Sequence, residues 1–482
     1  MVTRTDFATI VPVLIVTLSA CAVLLAESIR RPHDKVYHGI FGLIGLAGGI
    51  YTSIQQWGFD RTGFGVIVAD NYALFFNVVI CGIGLLTILL SSGSAEQDRI
   101  PTGEYYALML FSIAGMMLMG STRDLLVIFV ALEIMSLGVY VLTAIKRGSE
   151  EGAEAGYKYF VLGAFSSAFF LYGIALAYAA TGTTKIDEIG MLVASSGQQP
   201  DMVLLLVLSM ILLIVGFSFK VSAVPFHMWT PDAYQGAPTL VTGFMSTAVK
   251  AAAFAAFARV FATSFDLFRD EWLPILSAIA GLTMVLGTVV GVAQTSVKRM
   301  LAYSSIAHAG FLLLGLISAS GPGRASVLFY LVAYAVTNLG AFGVLAALTT
   351  NDRPHDDIRE FAGLWNERPG MAALLTVFLL SLGGFPPTVG FIAKWYIFSA
   401  AVQQNLITLA VLGVLSSVVS VFFYLRIVVM MYMTDERAAG HRPAPPKIAV
   451  AGMLLAMAAV FYLGLMPGQL LTIARNSVAA FF

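Results

Sequence analysis

The chain contains very little charge. Only 11% of its 482 residues are Asp, Glu, Lys or Arg, while 59% are hydrophobic; soluble domains average about 25% charged residues. A fold surrounded by water could not bury so much apolar surface, so the composition indicates a lipid environment. The 27 basic residues equal the 27 acidic ones, so the chain lacks the positive excess typical of proteins that bind nucleic acid.

Cysteine is also scarce. Cys21 and Cys81 lie in separate apolar runs and form no CxxC pair and no metal-ligand spacing, which argues against disulfide, zinc and iron–sulfur frameworks. The sequence has no P-loop and no haem-binding CxxCH motif. We therefore expect no cofactor and no metal in this chain, and neither electron transfer nor ATP hydrolysis by the chain itself.

What the chain does have is a series of long apolar runs. A membrane-spanning helix needs about 20 predominantly apolar residues. Runs of this kind predict about fourteen spans, near residues 7–26, 37–55, 71–92, 104–120, 124–145, 157–180, 202–222, 239–262, 273–294, 300–319, 325–349, 371–400, 406–432 and 447–468. The fold predicted for residues 1–482 is one all-α polytopic transmembrane domain.

Lysine and arginine are distributed unequally between the two sides. Fifteen lie in the loops on one side, and eight, Arg259 among them, lie on the side that holds both termini. Cytoplasmic loops carry the excess of basic residues, so we expect both termini on the periplasmic side of a bacterial inner membrane. The remaining four basic residues are counted as lying inside spans: Lys220, Lys250, Lys394 and Arg426. Lys158 and Arg259, close to the ends of their predicted spans, are counted with the loops.

Charges within a span indicate a functional interior. A charge at the bilayer centre costs at least about 2.5–3.5 kcal/mol, so such residues face the bundle and are usually functional. Glu133 and Lys250 both fall near the middle of their spans, and lysine suits proton transfer because desolvation weakens its hold on the proton. The alternative for Glu133 is a structural ion pair. Arg426 lies near a helix end and is expected to be structural or auxiliary.

Two of the spans contain helix-breaking residues beside a lysine. Pro225 follows Lys220 by five residues, and Pro386 and Pro387 precede Lys394. Proline removes a backbone donor and clashes with the preceding turn, and unwound backbone at membrane depth is tolerated only against protein or water. A charged residue beside a broken helix is a common way to build an ion site in transporters.

The two broken helices are spans seven and twelve, five spans apart. An odd offset inverts every helix, which predicts two inverted five-helix repeats: residues 104–262 (spans four to eight) and residues 273–432 (spans nine to thirteen). His308 then occupies the second helix of the second repeat, where a histidine can relay protons near neutral pH; the alternative is a packing histidine. His227, near a membrane face, is expected to have a structural or gating role.

Five segments of the chain resemble a known family. The segments are Leu132-Glu133-Ile134, KYFVLGAFSSAFFLYG (158–173), KVSAVPFHMWTPDAYQGAPT (220–239), KRMLAYSSIAHAG (298–310) and SLGGFPPTVGFIAKW (381–395). In these segments the chain resembles the N-type members of the antiporter-like membrane subunits of respiratory complex I, the proton-translocating NADH:quinone oxidoreductase.

The resemblance implies a role for each buried charge. Glu133 and Lys220 correspond to the first half-channel, Lys250 and His308 to a central relay, and Lys394 to the second half-channel. It also implies that NADH, FMN, iron–sulfur clusters and quinone belong to partner subunits, and that the membrane partners of this chain include its antiporter-like paralogues.

Two other functions fit the same residues. One is a subunit of a multi-chain sodium/proton antiporter or of a membrane-bound hydrogenase, which share this family fold. The other is a purely structural membrane subunit whose charges only hold helices together. Replacing the buried lysines separates these possibilities, because only a relay predicts lost transport in a complex that still assembles.

Overall fold

A computed structural model describes residues 3–29, 36–93, 100–195, 200–318, 321–349, 356–434 and 444–479. Almost all of this chain is helical. Several of the basic residues counted for the membrane orientation lie outside the described residues, namely Arg30, Arg31, Lys35, Arg99, Arg353, Arg437 and Arg442.

The long helices follow the predicted spans closely. They are α1 (Arg4–Ile29), α2 (Val36–Gln55), α3 (Asn71–Ser91), α4 (Thr102–Gly120), α5 (Leu125–Thr143), α6 (Glu150–Thr181), α8 (Pro200–Val221), α10 (Thr239–Thr263), α11 (Arg269–Val292), α12 (Val297–Ile317), α13 (Gly321–Leu348), α15 (Pro369–Gly383), α16 (Val389–Gln403), α17 (Ile407–Met433) and α18 (Lys447–Leu465).

Shorter elements connect these helices. They are a two-stranded antiparallel hairpin, β1 (Arg61–Gly63) with β2 (Ile67–Ala69), and the helices α7 (Ile186–Ser195), α9 (Trp229–Gly236), α14 (Leu364–Glu367) and α19 (Gly468–Val478). The hairpin was not predicted, because three-residue strands carry no periodic signal.

Among the described residues, twelve helices are long and apolar enough to cross a membrane. The 20-residue helix α2 and the divided pair α15 and α16 account for the other two predicted spans. Because successive spans alternate in direction, α1 begins on the face where α18 ends. We call this the terminal face and the other the opposite face.

The helices differ in how completely they are buried. The most hydrophobic stretch of α10 is buried throughout, and that of α12 nearly so, whereas α1, α17 and α18 present most of theirs to the surroundings. A helix that is apolar and buried all round lies in the core of a bundle. Since α10 carries Lys250 and α12 carries His308, both residues lie at the centre of the molecule.

Both predicted helix breaks are present. Helix α8 ends at Val221, and Pro225 lies in the connection to α9. Helix α15 ends at Gly383; Gly384 follows with a left-handed backbone (φ +86°) and donates its N–H to the carbonyl of Leu380, a common helix C-cap. Pro386 and Pro387 lie between α15 and α16.

The two predicted repeats, residues 104–262 and 273–432, stay a prediction. Each range contains five spans, and in each the fourth span meets a helix break, after α8 in the first range and between α15 and α16 in the second.

Candidate functional site

Lys220 lies in the last turn of α8, and its ammonium group is bound by hydroxyls of α5. Its Nζ donates to Ser136 Oγ at 2.8 Å and to Tyr140 OH at 3.1 Å. The lysine is 1% exposed. Ser136 and Tyr140 are four residues apart on α5, a spacing that places both on one helix face. Their hydroxyls therefore form a neutral, two-point site for the lysine.

Glu133 lies on the same helix but turns to another partner. Its Oε1 accepts a hydrogen bond from Ser167 Oγ of α6 at 2.5 Å. Within the described part of the chain, no carboxylate oxygen lies within 4.0 Å of Lys220 Nζ. Glu133 is three residues from Ser136, about 4.5 Å along the helix axis. Ser136, which binds Lys220, is thus about one helical turn from Glu133 on α5.

Lys250 is attached to the helix that carries His308. Its Nζ donates to the carbonyl of Ser305 at 2.5 Å and to the hydroxyl of Ser305 at 2.6 Å. The preceding turn, Met245–Val249, is a π-helix, a local widening that often marks functional sites. Ser305 and His308 are three residues apart on α12, so they are neighbours on its surface.

His308 connects two further helices through tyrosines. Its Nδ1 lies 2.6 Å from Tyr330 OH of α13, and its Nε2 lies 3.4 Å from Tyr424 OH of α17. The hydroxyl of Tyr424 is also hydrogen-bonded to Ser304. The ring of Tyr334 lies between the two central groups, 6.0 Å from Lys250 Nζ and 5.0 Å from the His308 ring.

Lys394 is bound by the end of the broken helix itself. Its Nζ donates to the carbonyl oxygens of Leu382 at 2.9 Å and Gly383 at 3.1 Å, and to Ser417 Oγ at 2.9 Å. The last carbonyls of a helix have no partner within it and carry partial negative charge. The break between α15 and α16 thus supplies acceptors for a buried cation.

A small cavity lies between His308 and this break. It is lined by His308, Tyr330, Tyr334, Ser381 and Leu382, among others, and offers about 10 Å³ to the centre of a water molecule. That is close to the space one water requires. A single water there would connect the histidine to the polar groups at the end of α15.

The other predicted residues lie apart from these contacts. Pro225 and His227 are in the connection between α8 and α9. Burial lowers the pKa of His227, although a hydrogen bond with the Pro225 backbone acts in the opposite direction. Arg426 donates to the carbonyls of Val292 and Gln294 at the end of α11, as basic residues do at helix C-termini. The contact is the kind expected of a structural arginine, and the role of Arg426 stays a prediction.

The most deeply buried arginine was assigned wrongly from the sequence. Arg259, counted with the loop residues, lies within α10 and is 1% exposed. Its two terminal nitrogens donate to both oxygens of Asp70 at 2.8 and 2.9 Å, and one also donates to the carbonyl of Gly120 at 3.1 Å. Arg123 also donates to Asp70 Oδ2, at 3.2 Å. This network lies at the terminal face.

The hydroxyl groups were also missed. Hydroxyls of Ser136, Tyr140, Ser305, Tyr330 and Tyr424 lie within hydrogen-bond distance of Lys220, Lys250 or His308. The sequence holds a weak signal for two of them, because Ser136 and Tyr140 stand one and two turns beyond Glu133 on the same helix. Within the described ranges, no cluster of three or more His, Cys, Asp or Glu could hold a metal ion.

These features define a class of protein. It is a polytopic helical membrane protein whose core contains three buried lysines and a histidine, which hydroxyls and carbonyls bind. The family described as NADH:quinone oxidoreductase/Mrp antiporter, TM, matches residues 122–420, which include all five predicted relay residues.

Relatives extend the match to nearly the whole chain. NADH-quinone oxidoreductase subunit N of Trichlorobacter lovleyi is 41% identical over 472 residues, covering 97% of this chain and 96% of that protein. The subunit N of Moorella thermoacetica is 41% identical over 465 residues, covering 95% and 96%. The chain belongs to the subunit N family of NADH-quinone oxidoreductase.

Solved structures agree with the fold. A chain in the structure of respiratory complex I from Thermus thermophilus with bound aureothin superposes with a TM-score of 0.81 at 35% identity, covering 96% of this chain and 98% of that one. A chain of the Mrp complex from Dietzia superposes with a TM-score of 0.85 at 21% identity, covering 99% and 98%; this second likeness concerns the fold alone.

Proposed function

We propose that this chain moves protons across the membrane as part of an NADH:quinone oxidoreductase, through Glu133, Lys220, Lys250, His308 and Lys394. The observation that carries the proposal is that, among the residues that the structure describes, all three buried lysines are bound by neutral groups and none by a carboxylate. A lysine with neutral partners can release its proton without leaving a buried anion behind.

The contacts suggest an order of transfer. Lys220 is bound by hydroxyls of α5, the helix that carries Glu133. Lys250 is bound by Ser305 of α12, the helix that carries His308, and the small cavity connects His308 with the break that holds Lys394. Hydroxyl groups can both donate and accept hydrogen bonds, so the serines and tyrosines between the ionisable groups are suited to pass protons along this series. The breaks at Pro225 and at Pro386 and Pro387 provide backbone groups that can be rearranged.

The surroundings of the chain follow from the same proposal. Oxidation of NADH and reduction of quinone, with FMN and iron–sulfur clusters, take place in partner subunits. The neighbouring membrane partners include antiporter-like paralogues, with lipid covering the remaining apolar surface. Both termini face the periplasm of a bacterial inner membrane, which places the terminal face, and with it the Asp70–Arg259 pair, on the periplasmic side.

The first experiment asks which complex contains the chain. Native membranes are solubilised gently, complexes are separated by size, and the fractions are assayed for NADH oxidation and for this chain. Co-migration is the expected result. Migration apart from the NADH-oxidising activity would overturn the proposal and favour a multi-chain antiporter or a hydrogenase.

The second experiment tests the relay. Lys220→Ala, Lys250→Ala and Lys394→Ala are each introduced, and proton transport in vesicles is divided by NADH oxidation for complex that has assembled. We expect each variant to transport fewer protons per NADH. Normal transport in all three assembled variants would rule out the relay, and loss of assembly in all three would favour a structural role.

A further inference from the structure

The short helix α9 lies between the surroundings of Lys220 and the helix that binds Lys250. On one side its first residue, Trp229, donates from Nε1 to the carbonyl of Phe219 at 3.0 Å, next to Lys220 in α8. The ring of Trp229 stacks on Tyr159 at 4.1 Å, and Tyr159 packs edge-on against Tyr140 at 4.6 Å. Tyr140 is one of the two hydroxyl partners of Lys220.

On the other side, α9 is attached to the beginning of α12. Asp232 Oδ1 accepts from Arg299 at 2.8 Å, and the same arginine donates to Gln235 Oε1 at 3.0 Å. Lys298 donates to the carbonyls of Gln235 and Ala237, each at 2.8 Å. Several hydrogen bonds thus fix the orientation of this eight-residue helix against α12.

Asp232 also connects to a third helix. Its second oxygen, Oδ2, accepts from Lys158 of α6 at 2.9 Å. Burial raises the pKa of the Asp232 carboxyl, but the hydrogen bonds and charges of Lys158 and Arg299 outweigh burial and lower it, so the group is ionised at neutral pH. One carboxylate therefore joins α6 and α12, with each oxygen serving a different cation.

Both partners of Asp232 lie close in sequence to residues near the buried lysines. Lys158 precedes Tyr159, the residue that packs on Tyr140. Arg299 is six residues before Ser305, which binds Lys250, about 9 Å along α12. A shift of α9 would be transmitted by the tyrosine pair toward Lys220 and by α12 toward Lys250.

We propose that Asp232 is a positioning residue that couples the hydrogen-bond surroundings of Lys220 to those of Lys250, by holding α9 between Lys158 of α6 and Arg299 of α12. The three residues form one junction at the opposite face, beside a polar recess of about 220 Å³. This inference rests on the proposed relay. It adds that the first two lysines change their surroundings together and not one at a time.

The chain provides a matched control for this junction. Glu154 binds the same lysine, with Oε1 2.7 Å from Lys158 Nζ, but both residues lie on α6. Asp232→Asn and Glu154→Gln therefore each remove one carboxylate charge from Lys158. Only Asp232→Asn weakens the attachment of α9 to α12.

The experiment measures protons transported per NADH oxidised in vesicles that contain the whole assembled complex. For Asp232→Asn we expect a loss of roughly fivefold or more, the usual lower range for coupling between sites. Glu154→Gln is expected to match the wild type, and Asp232→Glu to recover most of the transport. A value for Asp232→Asn equal to that of Glu154→Gln would overturn the coupling.

Two further variants keep the test decisive. If Asp232→Asn fails to assemble, Arg299→Gln is used, because it leaves the Asp232–Lys158 contact in place; normal protons per NADH in this variant would overturn the coupling. Lys220→Ala is measured alongside. If Lys220→Ala transports normally, the relay itself is wrong, whereas a defect in Lys220→Ala with normal transport in the junction variants refutes the coupling alone.

Discussion

The core of this protein holds two kinds of buried cation. Hydroxyls and carbonyls bind Lys220, Lys250 and Lys394. Arg259 instead donates from both terminal nitrogens to the carboxylate of Asp70. Arginine is always charged and suits two-point binding of a carboxylate, while lysine changes its protonation readily when buried. The difference separates an arginine that is permanently charged from lysines that can gain and lose a proton.

The largest expected effect is at the permanent charge. Arg259→Met leaves Asp70 buried with only Arg123 as a charged partner, and breaking a buried ion pair costs about 3–5 kcal/mol. Thermal unfolding of the purified complex should show early loss of this subunit, with Arg475→Met, at an exposed position, as the control. Equal stability of the two variants would contradict the structural role of the pair.

The same pair predicts a pH dependence. Burial raises the pKa of Asp70, but the charge and hydrogen bonds of Arg259 outweigh it and hold the pKa well below the usual range. Such a group stabilises the fold fully above the unfolded-state pKa of about 3.9 and loses this contribution as pH falls further. The stability advantage of the wild type over Asp70→Asn should thus shrink below about pH 4, by on the order of 2 kcal/mol.

Thermal unfolding of both proteins at pH 7 and at successively lower pH measures this advantage. A gap between wild type and Asp70→Asn that stays constant across the range would show that the Asp70 carboxyl has an ordinary pKa in the folded protein.

Removing the lysines should distinguish them from the arginine and from each other. Lys220→Met removes a buried charge and leaves hydroxyls that can rotate, so we expect little change in unfolding temperature despite lost transport. Lys394→Met leaves the carbonyls of Leu382 and Gly383 without a donor, at a cost of about 1–3 kcal/mol. Thermal unfolding and protons per NADH are measured on the same preparations, and a larger destabilisation by Lys220→Met would contradict this assignment.

The smallest effects are expected when single partners are trimmed. Tyr140→Phe with Ser136→Ala removes both side-chain acceptors of Lys220, each hydrogen bond contributing about 1 kcal/mol. Ser417→Ala removes one of three acceptors of Lys394 and leaves the two carbonyls. Proton transport should therefore fall clearly in the double variant and only slightly in Ser417→Ala. A greater defect in Ser417→Ala would show that the carbonyls do not hold Lys394.

Much of the fold was predictable because a membrane helix depends on the hydrophobicity of about 20 consecutive residues. Every predicted span coincides with a helix or, for residues 371–400, with a helix pair divided at the predicted break. Prolines and glycines marked both breaks for the same reason, since their effects act on the residues beside them. The junction at Asp232 could not be predicted in this way, because its partners Lys158 and Arg299 are 74 and 67 residues away in the sequence.

The partners of the buried charges could not be predicted in the same way. Ser136 is 84 residues from Lys220, and Asp70 is 189 residues from Arg259. Hydropathy placed Arg259 near the end of a span but did not show which side of α10 it occupies. Nothing near Glu133 in the sequence indicated that its carboxylate accepts a hydrogen bond from Ser167, 34 residues away.

The sequence by itself determined that this is a helical membrane protein, where its spans and breaks lie, and that Lys220, Lys250, His308 and Lys394 lie in the interior. These properties depend on the transfer of neighbouring residues from water to lipid. Only the tertiary structure decided which cation meets a carboxylate and which meets neutral oxygens. That choice depends on how helices distant in sequence pack against one another, because a buried polar group takes its partners from whichever helices surround it.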